Sequence, residues 1–285
     1  MTQRTVEIFY DHGKRSKTLC HAMAVGLSRC GVKNVMRQAA QFDGTPQADV
    51  SAFYGLRGNL LKVYEAYRKA DRHTLLIDLG YWKRIEGGRL RGYHKVVVDG
   101  LQPNHYYQAT RHNSTRLRKM ELDIKPFDPS GEYILVAGMS AKSAGVYGLG
   151  PQEFEENVVQ SLLEATDSPI VYRPKPSWPG ATPIEGAAYS PPDEPVEDVL
   201  ARCKLVVTHH SNVAVDAIVA GKPCVVLGDG VGLRMSSTLG DLDNPYFPSD
   251  AERLQWLSDI AWTQWNVSEI RRGKPWRHLQ EEGLL

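Results

Sequence analysis

Two successive runs of strand–helix alternation constrain this chain more than any other feature. In the first, Arg4–Tyr10 alternates like a strand and Asp11-His12-Gly13-Lys14 reads as a polar turn. Ser16–Arg29 then carries Leu19, Met23 and Leu27 at helical spacing, with Gly31 placed to end the helix. Asn34–Arg37 and Val50–Tyr54 read as strands, Asn59–Lys69 as a helix, and Thr74–Asp78 as a short buried strand. The second run opens with the strand Tyr133–Ala137. A Gly- and Ser-rich loop (Gly138–Gly150) leads to a helix over Pro151–Ala165, with Pro in its first turn. Pro169–Arg173 follows as a strand, then a Pro- and Gly-rich loop over Ser177–Pro195 with a short strand at Ala187–Tyr189. Val196–Arg202 reads as a helix, Leu205–Thr208 as a strand, Ser211–Ala220 as a helix and Cys224–Leu227 as a strand. Such alternation predicts an α/β chain with parallel sheets covered by helices on both faces. The tail from Asp250 holds two amphipathic helical stretches with Trp256, Trp262, Trp265 and Trp276. The predicted division is residues 1–128, 129–250 and a helical tail at 251–285.

The length of 285 residues accommodates two such domains, and 42% hydrophobic with 24% charged residues is ordinary globular usage. This excludes a disordered or fibrous chain. Mean hydropathy is -0.37, and no run approaches the ~18 apolar residues of a membrane span. With no signal-peptide pattern, the expected location is cytoplasmic, or the host cytoplasm if the chain is viral. Cys20, Cys30, Cys203 and Cys224 are widely spaced, so free, buried thiols are expected rather than a disulfide framework or zinc knuckle.

The net charge of +1 is unevenly spread. From Lys83 to Lys119 stand nine bases (Lys83, Arg84, Arg89, Arg91, Lys95, Arg111, Arg116, Arg118, Lys119) against Glu86 and Asp99, which makes that segment +7 and the remainder -6. His94, His105, His112, Tyr93, Tyr106 and Tyr107 are interleaved, with Tyr81 and Trp82 just before. Such a stretch suits a polyanion whose bases or rings can be stacked upon; scattered over several faces, it is plain solvated surface.

Neither half carries a GxGxxG fingerprint or a Walker lysine loop, which weighs against a dehydrogenase or P-loop kinase. The most informative stretch is Lys204–Gly228, KLVVTHHSNVAVDAIVAGKPCVVLG. A buried strand ends at Thr208, and Ser211 and Asn212 are good caps for the helix that follows. The amides of Val213 and Ala214 are expected to be free there, and with the helix start they suit a diphosphate. Asp216, in the first turns, suits ribose hydroxyls, although capping and dipole compensation explain Ser211 and Asp216 equally simply. His209 and His210, adjacent on a turn, are too few for a metal site.

This stretch resembles the donor-binding half of GT-B glycosyltransferases, especially capsular-polysaccharide and phage-type members. Thr208, Ser211, Asn212, Ala220, Gly221, Pro223 and Gly228 carry the likeness. Arg173-Pro174-Lys175-Pro176 is similar to an element one strand earlier in those families, and Asp78-Leu79-Gly80-Tyr81-Trp82 to one in their N-terminal half. The resemblance implies two Rossmann-like domains facing across a cleft, with a C-terminal helix crossing back to the first. It implies a nucleotide-sugar donor, first of all a UDP-sugar, with no metal or other cofactor required. Arg173, Lys175, Thr208, His210, Ser211, Asn212 and Asp216 would then line the donor site. The activity implied is hexosyl or pentosyl transfer.

An inverting transfer needs a base for the acceptor hydroxyl, expected at a strand end of the N-terminal half. Asp78 is the first candidate, with Asp11 and its neighbour His12 behind it; a retaining enzyme needs none of them. The basic segment, with Lys83, Arg84, Arg111, Arg116 and Arg118, points to an anionic acceptor. Phage-type DNA bearing hydroxymethylated pyrimidines is expected first, with base flipping to reach the hydroxyl. An anionic surface glycan is the alternative. A nucleotide-sugar epimerase and a non-catalytic DNA-binding protein on the same architecture are the readings from other classes.

Overall fold

The computed structural model describes residues 4–84, 88, 90–105 and 111–285. The N-terminal elements are β1 (Thr5–Tyr10), α1 (Lys14–Arg29), β2 (Lys33–Gln38), β3 (Val50–Tyr54), α2 (Asn59–Lys69), β4 (His73–Leu79), β5 (Tyr93–Val98) and α3 (Thr115–Arg118). Then come β6 (Tyr133–Ala137), α4 (Ala141–Val146), α5 (Glu153–Ala165), β7 (Ile170–Arg173), β8 (Ala188–Tyr189), α6 (Val196–Arg202), β9 (Cys203–Thr208), α7 (Val213–Val219) and β10 (Cys224–Val226). The chain closes with α8 (Asp250–Ala261), β11 (Gln264–Asn266), α9 (Val267–Arg271) and α10 (Lys274–Glu281). Among the described residues no helix is long and apolar enough to cross a membrane.

Two compact units result, one from residues 1–116 with 258–285 and one from 117–257. The first changeover falls at 116/117, ahead of the sequence boundary at 128, because the intervening segment is bonded into the second unit. Lys125 N donates to Val219 O, and Asp128 N to Gly221 O. The second changeover, 257/258, lies within α8.

The first unit is built on a six-stranded sheet of order β11-β5-β4-β3-β1-β2. β1 to β4 are parallel, whereas β5 and β11 run antiparallel to their neighbours. Side-chain alternation sends Val6 and Ile8 of β1 into one core layer with Leu19, Met23 and Leu27 of α1, and Phe9 into another with Leu60, Val63 and Tyr67 of α2. α1 ends where Gly31, at φ 75°, lets Val32 N reach Leu27 O and Gly31 N reach Ser28 O. The tail does more than the two helices expected of it. β11 adds an edge strand, pairing Trp265 with His94, and α9 lies directly on α1. Gly26 permits that approach, since a Cβ there would stand 2.1 Å from Ile270 O.

The second unit holds a five-stranded parallel sheet of order β10-β9-β6-β7-β8. Its core joins Ile134, Val136, Leu205 and Val207 of the sheet to Phe154, Val158 and Leu162 of α5. The Gly- and Ser-rich segment expected to be loop contains α4, because Ser140 accepts from Ser143 N and caps the Ala-Lys-Ser-Ala run behind it. Cys20, Cys203 and Cys224 are buried free thiols and Cys30 is a half-buried one; burial pushes the first three up to about 12, which keeps them unreactive.

Candidate functional site

In an open α/β sheet, ligands bind outside the carboxyl ends of the strands where the strand order reverses. The second unit reverses between β6 and β9. Thr208, buried at the end of β9, donates its hydroxyl to Ala137 O at the end of β6, 2.9 Å away. The loop His209–Asn212 and the loop Gly138–Ser140 therefore leave the sheet side by side at this point. The His209 and His210 rings bracket Tyr147 at 4.5 and 4.7 Å between centroids, and their Nδ1 atoms lie 3.0 Å apart. Burial lowers the pKa of His209, against the opposing charge of Asp229. Gly228 and Gly230 lie under this loop, where a Cβ would meet the His209 ring at 2.1 Å and the His210 backbone at 3.0 Å.

Three expectations for this region change. The amides of Val213 and Ala214 are not free: Val213 N donates to Ser211 Oγ at 3.3 Å and Ala214 N to Ser211 O at 3.2 Å. Ser211 thus satisfies the opening of α7 locally, and Asn212 sits at its N-cap without a side-chain cap bond. Arg173 is likewise engaged. Its Nη1 donates to Ser190 Oγ at 3.1 Å and Pro191 O at 3.0 Å, and its Nη2 to Pro192 O and Glu194 O. The buried guanidinium stitches the loop before α6 to the end of β7 instead of facing a ligand. Thr208, its hydroxyl on Ala137 O, is a strand tie. Lys175 remains exposed just beyond β7, and His210, Ser211, Asn212 and Asp216 are half-buried around the β9–α7 turn.

Sequence reasoning missed Glu155. Fully buried on α5, it accepts from Met139 N at 2.5 Å, and a Cβ on Gly138 would stand 2.9 Å from its Oε1 and from the Tyr172 ring. Burial raises its pKa, against the Met139 hydrogen bond. The signal available was its helical spacing, three, four and seven residues before the apolar Val158, Val159 and Leu162.

The first unit reverses between β1 and β3, and there the chain places Asp11 and Arg57. Arg57 Nη2 lies 2.6 Å and its Nε 3.1 Å from Asp11 Oδ2, while Gly13 N donates to Oδ1. Burial would raise the Asp11 carboxyl, but Arg57, Gly13 N–H and Ser16 together hold it below the ordinary carboxylate value. His12 is exposed beside it. Asp78 is half-buried one residue before the end of β4, accepts from Leu79 N at 2.8 Å and stands opposite Lys95 in the register. After it, Gly80 is pressed against β5 and β11, where a Cβ would meet Gln264 Oε1 at 2.6 Å and Tyr93 O at 2.8 Å. Tyr81 and Trp82 are core residues rather than stacking platforms.

The basic segment is not one free surface. Arg116 pairs with Glu269 at 2.8 Å, donates to Ala261 O and Gln264 O, and lies over Trp265. Lys95 is buried on Leu101 O at 2.7 Å and Gln102 Oε1 at 3.1 Å, and Arg84 reaches Tyr81 O. Lys83 is half-buried with φ 47°; Arg91, Arg111, Arg118 and Lys119 are exposed. Glu86, Arg89, Tyr106 and Tyr107 lie outside the described residues.

By sequence, no family model and no curated relative matches the chain. By structure, it is similar to Thermosulfurimonas dismutans KpsC, beta Kdo 2,4 transferase, over 91% of each chain, with a TM-score of 0.54 at 13% identity. It is also similar to the beta Kdo 2,7 transferase of the same KpsC over 94% of this chain and 98% of that one, again at 0.54 and 13%. The chain has the GT-B fold. Its two units are consistent with the two Rossmann-like domains of that fold, and β11, α9 and α10 complete the first of them.

Proposed function

We propose that this chain is a glycosyltransferase that moves a sugar from a nucleotide-sugar donor to a hydroxyl of an anionic glycan. The observation that carries the reading is the seating of the Thr-His-His-Ser-Asn turn at the strand-order reversal of the second unit of a GT-B chain. Lys175, His210, Ser211 and Asn212 meet the donor phosphates there, and Asp216 the ribose; UDP is the first nucleotide to test. The Ser211 bonds to the α7 amides are long, and a phosphate competes with them. Arg173 and Thr208 serve indirectly by fixing the loops.

In the reaction the acceptor oxygen bonds to the anomeric carbon and the bond from that carbon to the phosphate oxygen breaks. The acceptor proton passes to a carboxylate, which we assign to Asp78. Charge developing on the leaving phosphate is stabilised by Lys175 and the hydrogen-bond donors of the turn, each contributing roughly a hundred- to a thousand-fold in rate. The glycan acceptor is preferred because Arg116, Lys95 and Arg84 are committed within the first unit, which shortens the cationic run a nucleic acid would follow. Hydroxymethylated DNA is the second acceptor class, supported by the exposed Arg91, Arg111, Arg118 and Lys119.

The test is incubation with uridine, cytidine, guanosine and thymidine nucleotide sugars and three acceptors: anionic glycans, hydroxymethylated DNA and plain DNA. Mass spectrometry should find glycan heavier by one sugar, with matching nucleotide release. A mass gain on hydroxymethylated DNA alone transfers the proposal to DNA. Sugar isomerisation without transfer points to an epimerase, and no turnover of any donor overturns the reading.

A further inference from the structure

Outside both strand-order reversals, the first unit gathers two imidazoles and one carboxylate around one point, with a second carboxylate behind one of the rings. His112 precedes α3, His278 lies on α10, and Glu282 caps the end of that helix. One ligand atom from each of these three lies within 4.8 Å of the others. His112 Nε2 stands 3.4 Å from Glu282 Oε1. Ligand atoms of a tetrahedral zinc, each 2.0–2.1 Å from the ion, stand roughly 3.3–3.4 Å apart. The other nitrogen of His112, Nδ1, is 3.4 Å from Asp259 Oδ1, and Asp259 also accepts from His112 N at 2.7 Å. Asp259 thus anchors the His112 backbone and places a carboxylate behind the ring, the side from which a metal-bound imidazole is usually supported. The side chains of Asp259, His112 and Glu282 are 2%, 10% and 20% exposed, so the site is walled but reachable from one side.

We propose that His112, His278 and Glu282 form a binding site for a divalent transition metal, zinc first, with Asp259 orienting His112. The two carboxylates, Glu282 toward the ligand atoms and Asp259 behind His112, supply negative charge for a divalent cation to offset. Arg116, stacked on the neighbouring Trp265, is already neutralised by Glu269. Trp262, stacked on His112 at 5.6 Å between centroids, and Trp265, 5.6 Å from His278, keep the rings from turning away. Three protein ligands leave a fourth position for water. None of these residues belongs to the proposed donor site or base; the ion would tie the C-terminal helix to the segment before α3.

The full chain, stripped with a chelator, is titrated with zinc by calorimetry and with cobalt by visible absorption. One ion per chain is expected, with the intense d–d bands of tetrahedral cobalt and a Tm that rises with zinc concentration. Glu282→Gln, nearly isosteric and partly exposed, should weaken binding at least ten-fold, and His112→Ala should abolish it. Asp259→Asn should weaken it about 10- to 100-fold. Absence of binding at high micromolar zinc overturns the proposal. So does binding that Glu282→Gln and His112→Ala leave unchanged, which identifies surface histidines as the ligands.

Discussion

The guanidinium carbon of Arg116 lies 4.0 Å from the centre of the Trp265 ring, while both Nη atoms of the same arginine sit 2.8 Å from the Glu269 carboxylate. The arginine joins the end of the N-terminal segment to β11 and α9. Its removal takes the bidentate partner from a largely buried carboxylate, leaving it Asn266 N and the more distant Lys274, and takes a donor from two backbone carbonyls. Arg116→Ala should therefore cost about 3–5 kcal/mol in urea unfolding. Lys119→Ala, three residues on and exposed, should stay within about 0.5 kcal/mol.

Arg173 and Lys175 separate holding a loop from meeting a ligand. Arg173→Ala leaves the carbonyls of residues 191, 192 and 194 without their donor, and should lower stability by about 2–3 kcal/mol. Lys175→Ala should leave Tm unchanged and weaken nucleotide-sugar affinity by about ten-fold. Calorimetric titration together with thermal unfolding of both variants checks the pair.

Asp78 and Asp11 divide in a similar way. Arg57 and Gly13 N–H engage both carboxylate oxygens of Asp11 and hold its pKa low, which makes it a weaker base. Asp78→Asn should cut turnover by about 10²–10⁴ with donor affinity intact. Asp11→Asn should act mainly on stability, through the Arg57 pair. Equal losses of turnover in the two variants would remove Asp78 from the role of base.

Glu155 makes stability fall as pH rises above the ordinary glutamate value. Its folded pKa is raised by burial, so its contribution is fully present below the ordinary glutamate value and is lost as pH rises through the folded value. Glu155→Gln keeps an acceptor for Met139 N and cannot ionise. The variant's Tm should gain on the parent's as pH rises from 5 to 9; a constant difference would show that Glu155 ionises no differently on unfolding.

Asp128 acts at the other end of the scale. Lys222, 3% exposed, donates to it at 2.7 Å; with Ser130 it holds the carboxyl at about 2, against slight burial. The stabilisation is present above the ordinary aspartate value near 4 and fades as pH falls toward 2. Asp128→Asn should lower stability at pH 7 by about 1–2 kcal/mol, discounted because the carboxyl is half exposed, and the difference from the parent should vanish near pH 2.

Elements with strong local signals were legible in the sequence. Val50–Tyr54, Asn59–Lys69, Tyr133–Ala137 and Val196–Arg202 coincide with β3, α2, β6 and α6, because period and turn residues suffice for such segments. β11 was not legible: three residues in a Trp-rich tail become a strand only because β5 offers an unpaired edge. The β9–α7 turn was readable as a site from strand, cap and helix. The fate of the Val213 and Ala214 amides was not, since it depends on how Ser211 folds back on its own backbone. Arg116, Arg173 and Lys95 mark the same limit. A basic side chain looks solvated in sequence until the carbonyls that capture it are brought near.

The terminal strand and helices impose an order on biosynthesis. The unit spanning 117–257 is encoded without interruption and can complete its sheet as it emerges from the ribosome. The unit built on β1 to β5 must wait, with the edge of β5 bare and the α1 surface at Gly26 uncovered, until residues 264–271 are translated. A nascent chain arrested short of Gln264 therefore carries one finished lobe and one exposed strand edge open to pairing with another chain.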